Sequence, residues 1–548
     1  MKNFFKMFNK AVLIYTLIIW LILNVFGIQN MYFYGGEITT TIVVKILHIF
    51  FIYLIIGKIY SLYEQRNTPK GKNEIIISSI CFVILMSLLF SVWPGTWSWD
   101  DITILKNASF LNLTPWQHFF SGLFQILCLQ TIPIPSGVAI VQIIIASLIV
   151  GYCITNISIL YVKSQKRVIV IQIILGLITL LPPLILYILS GFRMGIYSYL
   201  ELLLITKMII LYKEKKEITF KESFKISLLT IIISVWRTEA LYYPLFILVL
   251  FFILGKQVVR KKSAIIAFIM IMVANISIGK VNNLMIGNNN YSLTATMETV
   301  TSIIKISDES DKKELEVINN IIDVNYILEN PEKTGELYYW TNGLVRNYTE
   351  EQYSNYLKAY FKLAIKYPDV TFKSLWNIFM RAGSGFGEDG KQTTKNMVAH
   401  TGGETLDLFN LTKITGTRWN AISVADSRVK RAINENLREN VILFLNGTDS
   451  NGNLTIVHNI FWNLFIPFSL ILICLIYKII KKDWFMVFLI LTVVVRIPIV
   501  FVTAPAEYFM YYLSAYLCAY IISAIIIIET IIQIKYKKTR GLLCEKKS

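Results

Sequence analysis

The sequence predicts an all-α polytopic membrane protein with about twelve transmembrane helices and both termini in the cytoplasm. Three observations carry that expectation. The 548 residues are 55% hydrophobic and only 16% charged, against about 25% charged in soluble domains. A dozen apolar runs approach the roughly 20 residues that a helix needs to cross the hydrocarbon core. Lysine and arginine gather in short clusters between those runs, as the positive-inside rule requires.

The runs cover 11–28, 40–60, 75–93, 136–161, 168–190, 195–212, 223–237, 240–255, 263–280, 456–478, 484–503 and 508–533. The first has no small-residue cleavage site and reads as a retained signal anchor. Basic clusters stand at Lys2 to Lys10, Lys58 to Lys72, Lys163 to Arg167, Lys213 to Lys216, Lys256 to Lys262, Lys478 to Lys482 and Lys535 to Lys547. Twelve crossings put every one of them in the cytoplasm. The loops 29–39, 94–135, 191–194, 238–239, 281–455 and 504–507 then lie outside. Residues 116–131 are apolar enough to span, but counting them would expose the cluster at 163–167; they read as an interfacial helix.

The chain thus divides into a transmembrane bundle (1–280, with the first outer loop 94–135), a mainly helical extracytoplasmic domain (281–455) and C-terminal membrane helices with a basic tail (456–548). The net charge of +18 excludes little by itself; its distribution excludes a nucleic-acid partner. Residues 281–455 hold 18 of the 53 basic and 21 of the 35 acidic residues, leaving 35 basic against 14 acidic for the rest, in loops flanking apolar runs. None of the six cysteines falls in 281–455, so packing rather than disulfides must hold that domain. Within it, Tyr353, Tyr356, Tyr360, Phe361 and Ala364 recur at helical spacing over 350–366, ended by Tyr367-Pro368. A second helix is expected over 369–381 and a flexible, glycine-rich loop over 383–391.

Charges at membrane depth are costly and mark functional candidates. The densest group is Trp93-Pro94-Gly95-Thr96-Trp97-Ser98-Trp99-Asp100-Asp101, at the start of the first outer loop. Adjacent carboxylates oppose joint ionisation, so one of the pair can serve as a base near neutral pH. Alternatively, Asp100 and Asp101 bind a divalent cation, Mg or Mn, through oxygen. Trp236-Arg237-Thr238-Glu239 forms a minimal outer hairpin in which Arg237 suits bidentate phosphate binding, with Glu239 orienting it or meeting polar substrate. Arg193 sits in another minimal loop. Arg496 lies within a span two residues before Pro498, with Glu507 as its counter-charge, and His118 follows Pro115-Trp116-Gln117. No Ser-His-Asp, His-Glu-x-x-His or phosphate-loop signature is present.

This layout resembles the GT-C superfamily of membrane glycosyltransferases, which use polyprenyl-phosphate-linked sugars and include protein mannosyltransferases and aminoarabinose transferases. The resemblance rests on the acidic pair in the first large outer loop, the Thr114-Pro115-Trp116-Gln117-His118 stretch after it, a late soluble domain and about a dozen spans. The pair here is Asp-Asp where the protein-mannosyltransferase branch has Asp-Glu, and the doubled proline is absent. The Ile-, Lys- and Asn-rich composition suits a bacterium.

The resemblance implies a multi-pass cell-membrane enzyme with an extracytoplasmic catalytic face. It would transfer a sugar from a polyprenyl-phosphate donor to a glycan, lipid or protein acceptor of the envelope. Asp100 or Asp101 would take the acceptor proton, directly or with the metal. Arg193, Arg237 or Arg496 would hold the departing phosphate, and Trp97, Trp99 or Trp116 would stack on the sugar. Competing readings are a polymerase or flippase for lipid-linked saccharides, and a non-catalytic envelope protein.

Overall fold

The computed structural model describes residues 9–26, 38–113, 117–162, 165–215, 217–255, 261–286, 290–341, 347–384 and 432–545. Its regular elements, among these residues, are helices: α1 (Lys10–Leu21), α2 (Ile38–Gln65), α3 (Pro69–Ser91), α4 (Trp99–Ser109), α5 (Phe119–Thr131), α6 (Gly137–Tyr161), α7 (Gln165–Thr179), α8 (Pro182–Ile188), α9 (Arg193–Glu214), α10 (Phe220–Trp236), α11 (Tyr243–Leu254) and α12 (Lys261–Ile286). There follow α13 (Thr294–Ile304), α14 (Lys312–Asn319), α15 (Val324–Glu329), α16 (Gly335–Trp340), α17 (Glu350–Lys366), α18 (Pro368–Ser384), α19 (Glu435–Asn446), α20 (Ile456–Phe461), α21 (Phe465–Ile480), α22 (Trp484–Val494), α23 (Arg496–Thr503) and α24 (Leu513–Glu545).

Eight helical stretches among the described residues are long and apolar enough to cross a membrane: Ile38–Gln65, Pro69–Ser91, Gly137–Tyr161, Arg193–Glu214, Ile266–Met285, Ile456–Ile480, Trp484–Thr503 and Phe509–Lys535. Each coincides with an expected run. A further run, 168–190, is broken: its two helices meet at 62°. The cause is Pro182-Pro183, which lacks two N–H donors and holds Leu181 extended (ψ 146°). The remaining expected runs are helical but shorter, among them Lys10–Asn24 and Thr238–Leu254, and Phe220–Trp236 stops at Arg237, whose backbone is extended. The 116–131 stretch contains the 13-residue α5.

Their surfaces identify the solvent. On α2, Ile42, Ile46, Phe50 and Leu54 are exposed at four-residue spacing, as are Ile169, Ile173 and Leu177 on α7. Stripes of that length on water-facing helices would be aggregation sites; in a bilayer they need no cover. The chain is a multi-pass membrane protein.

Two compact units form. The first draws on Met1–Met285, Met397–Val494 and Tyr512–Ser548, the second on Ile286–Asn396 and Val495–Tyr511. In the first unit α6 and α9 lie at the centre, with α3 packed on α6 and α24 on α9. Charges of this unit meet near the helix ends flanked by the basic clusters. Lys213 Nζ donates to Glu529 at 2.5 Å, and Lys478 donates to both Glu529 and Asp483 at 2.9 Å. Tyr212 donates to Asp483 at 2.9 Å. These bonds fasten α9, α21, α22 and α24 to one another. Glu201 and Lys207 also find partners inside the unit, Tyr243 and Glu222 respectively.

The second unit packs α13 to α18 around Leu293, Met297, Val300, Ile318, Tyr338 and Tyr356. Helix α17 begins with a Thr349–Gln352 capping box and ends at Tyr367, where the sequence expects it. Its Tyr353, Tyr356 and Tyr360 rings stack along the helix, and the buried Tyr356 hydroxyl bonds Thr296 at 2.7 Å. Asp311 accepts from Lys366 and from the Tyr367 hydroxyl, both at 2.6 Å, tying the start of α14 to the end of α17. Helix α18 runs on through Gly383 and Ser384, two residues expected in the loop, while 385–391 lie outside the described residues.

Glu529 is the shared anion of the buried Lys478 and the partly buried Lys213. Glu529→Gln should lower stability by about 3 kcal/mol, because it leaves a desolvated cation short of its partner. Lys225→Gln, in a largely exposed pair with Glu222, should cost under about 1 kcal/mol. Thermal unfolding of the purified protein in detergent distinguishes the two.

Candidate functional site

The turn after α3 is held close to a second chain segment. Gly95 has φ +128°, and a Cβ there would sit 2.7 Å from the Leu189 carbonyl oxygen and 2.7 Å from Trp97 Nε1. Only glycine fits such a conformation so close to another chain segment. The Thr96 amide donates to the Leu189 carbonyl at 3.0 Å, and its hydroxyl donates to the Leu186 carbonyl at 2.7 Å. The turn is therefore fastened to the end of α8. Trp97 is fully buried, its ring against Gly191 and its Nε1 donating to the Pro94 carbonyl at 3.2 Å. Its ring, expected from the resemblance to stack on a sugar, packs in the core here.

Asp101 caps the helix that follows. Its Oδ1 accepts from the Ser98 amide at 2.6 Å and the Ser98 hydroxyl at 2.8 Å, while Oδ2 is buried without a hydrogen-bond partner among the described residues. Burial pushes its carboxyl up to about 7, the Ser98 bonds work against the rise, and the Asp100 charge adds to it. Asp100 is half-buried and accepts from Gln117 Nε2 at 3.1 Å. The two acids thus differ: one fixes the helix start, the other faces the residues that follow.

Gln117 links that acid to a cation. Its carbonyl accepts from Arg193 Nη1, which also donates to the Trp236 carbonyl at 3.2 Å. Trp236 in turn donates from Nε1 to Ser121 at 3.0 Å. His118 caps α5 with φ +71°, a conformation rare for residues with a Cβ. Its Nδ1 accepts from the Phe120 amide at 3.2 Å, so the neutral ring carries its proton on Nε2, and that atom is buried without a partner among the described residues. Burial, then the nearby Arg193 charge, holds the imidazole down at about 4, so it is neutral at physiological pH. Arg237 is also buried, donating from Nη1 to Met194 Sδ at 3.0 Å and from Nε to Glu239 at 2.6 Å.

Asp100, Asp101, His118, Arg193, Arg237 and Glu239 all belong to the first unit. Arg496 and Glu507 belong to the second, where Arg496 is buried and Glu507 meets Arg381 at 3.4 Å. The Trp99 side chain and all of Trp116 lie outside the described residues.

Sequence reasoning missed Gln117 as the link and Arg438 altogether. Arg438, on α19, is 3% exposed and donates from Nη2 to the Gly95 carbonyl at 3.0 Å. Burial lowers it to about 10. In Glu-Asn-Leu-Arg-Glu-Asn it reads as an ordinary surface cation.

For a divalent cation the donor set is thin. No group of three or more His, Cys, Asp or Glu side chains able to hold a metal occurs among the described residues. Asp101 is fully buried and caps α4 through Oδ1, which leaves the half-buried Asp100 as the carboxylate an ion would meet. In comparison with known proteins, no family model, curated protein or solved structure matches the chain.

Two outcomes follow from this geometry. A buried acid raised from 3.8 to about 7 binds its proton more tightly in the folded chain, so stability falls as pH climbs through that window. Asp101→Asn keeps an oxygen for Ser98 but cannot ionise. The melting temperature of the variant minus that of wild type should therefore rise between about pH 4 and pH 7; a flat difference rejects the buried acid. Gly191→Ala forces a methyl into the Trp97 ring and should cost about 1–3 kcal/mol in the same unfolding measurement.

Proposed function

We propose that this chain is an integral membrane glycosyltransferase of the GT-C kind, moving a sugar from a polyprenyl-phosphate donor to an extracytoplasmic envelope acceptor. The observation that carries the reading is the Asp100–Gln117–Arg193 chain, with the buried Nε2–H of His118 close to the same arginine. A carboxylate and a guanidinium from separate turns thus meet a single residue, one at its side-chain amide and one at its backbone carbonyl. The topology adopted has twelve crossings, both termini in the cytoplasm and this group on the outer face, as the alternation of basic clusters supports.

The chemistry is a single displacement. The acceptor hydroxyl gives its proton to Asp100 as its oxygen bonds to the anomeric carbon. The anomeric carbon–phosphate oxygen bond breaks, its electron pair leaves with the polyprenyl phosphate, and the configuration inverts. A phosphate departs as an anion without being protonated. Arg193, held by the Gln117 and Trp236 carbonyls beside His118, meets the charge that grows on it. His118 adds an Nε2–H donor without adding a positive charge. Asp101 holds the turn that presents Asp100.

The test is transfer from a panel of polyprenyl-phosphate sugars by protein reconstituted in vesicles. Asp100→Asn is expected to lower transfer by about 10²–10⁴-fold, and Arg193→Gln by about 10²-fold. Full activity in Asp100→Asn overturns the assignment of the base. Loss on Arg193→Gln with Asp100→Asn unaffected would point to a lipid-linked saccharide polymerase.

A further inference from the structure

The second unit carries an aromatic stripe whose place in the fold suggests what covers it. On α18, Phe372, Trp376 and Phe379 are spaced four and three residues apart, which aligns them on one helix face. Their rings pack in series, Phe372 to Trp376 at 5.9 Å and Trp376 to Phe379 at 5.8 Å. Phe372 and Phe379 also pack on Phe501 at 6.1 and 6.0 Å. Phe379 is buried, but Phe372 is 58% and Trp376 40% exposed. A different face of the helix, with Ser374, Ile378 and Ala382, is buried.

Phe501 lies on α23, which is the end of the candidate span Trp484–Thr503. Next to it Val502 is 55% exposed. The stripe is therefore continuous with the exposed apolar surface of α23, which belongs to the same unit. The Arg381–Glu507 contact at 3.4 Å fixes the far end of α18 to the segment that leaves that span, and Tyr508 donates to Glu336 at 2.7 Å, binding α16 to it as well. Exposed Lys373 flanks the aromatic rings on α18, the composition of a helix lying in a membrane interface.

We propose that Phe372, Trp376 and Val502 form a lipid-binding face, and that α18 rests in the interfacial layer of the bilayer as a second membrane attachment of this unit. A water-facing helix would place large aromatic rings in solvent for no gain. A helix joined to the end of a span by ring packing reaches the headgroup region without any rearrangement. The inference is independent of the catalytic reading.

The test uses the full chain in vesicles of equal parts phosphatidylcholine and phosphatidylglycerol, comparing wild type with Trp376→Phe. The difference in emission between them reports Trp376 alone, and the substitution keeps an aromatic ring. Quenching of that difference signal by lipids brominated on the upper acyl chain, with little quenching by aqueous iodide, is the expected result. Quenching by iodide and not by bromolipid overturns the proposal, since it places the ring in water. Quenching by neither also overturns it, since the ring is then covered by protein, such as a second copy of this chain.

Discussion

The lock between the turn at 93–98 and the end of α8 is the contact on which the candidate site depends. Thr96 satisfies two carbonyls at Leu186 and Leu189, Gly95 permits the approach, and Trp97 fills the space above Gly191. Gln125 adds a bond to the Gly191 carbonyl at 3.0 Å, and Gln142 one to Ser190 at 3.0 Å. Backbone groups near the ends of membrane helices would otherwise lack partners, which hydrocarbon does not supply. Because Arg193 begins α9 two residues after Gly191, this one lock also brings the arginine to the loop that carries Gln117.

Charge is handled in two ways in the first unit. Near the basic clusters, lysines meet acids directly, and the result is a set of neutral pairs that fasten helices. Around the acidic turn the polar groups are held differently. Asp101 is raised toward neutrality, His118 is kept uncharged, and Arg438 is buried against a carbonyl. Mutual neutralisation rigidifies; groups held by neutral partners retain the capacity to respond to a ligand's charge. Arg237 follows the first pattern, with its carboxylate partner Glu239 two residues away.

Much of the fold was legible in local pattern. Apolar runs of sufficient length became helices with exposed apolar stripes, and the tyrosine spacing over 350–366 gave α17 between its capping box and Pro368, whereas the break at Pro182-Pro183 divides a run that was expected whole. The acidic turn was legible as a place where charge is costly. Its division of labour was not, since nothing in Asp-Asp says which acid will cap a helix. Nor does a tryptophan beside two acids say whether its ring faces a ligand or the core; Trp97 is buried.

The sequence by itself determined that the chain is built of apolar helices suited to a bilayer, because hydropathy acts over a few neighbouring residues. Only the tertiary structure decided which charges meet. Arg193 reaches Gln117 across 76 residues and Arg438 reaches Gly95 across 343. Such pairings depend on which helix faces adjoin, and so on the packing of many side chains at once, a property no single stretch of sequence contains.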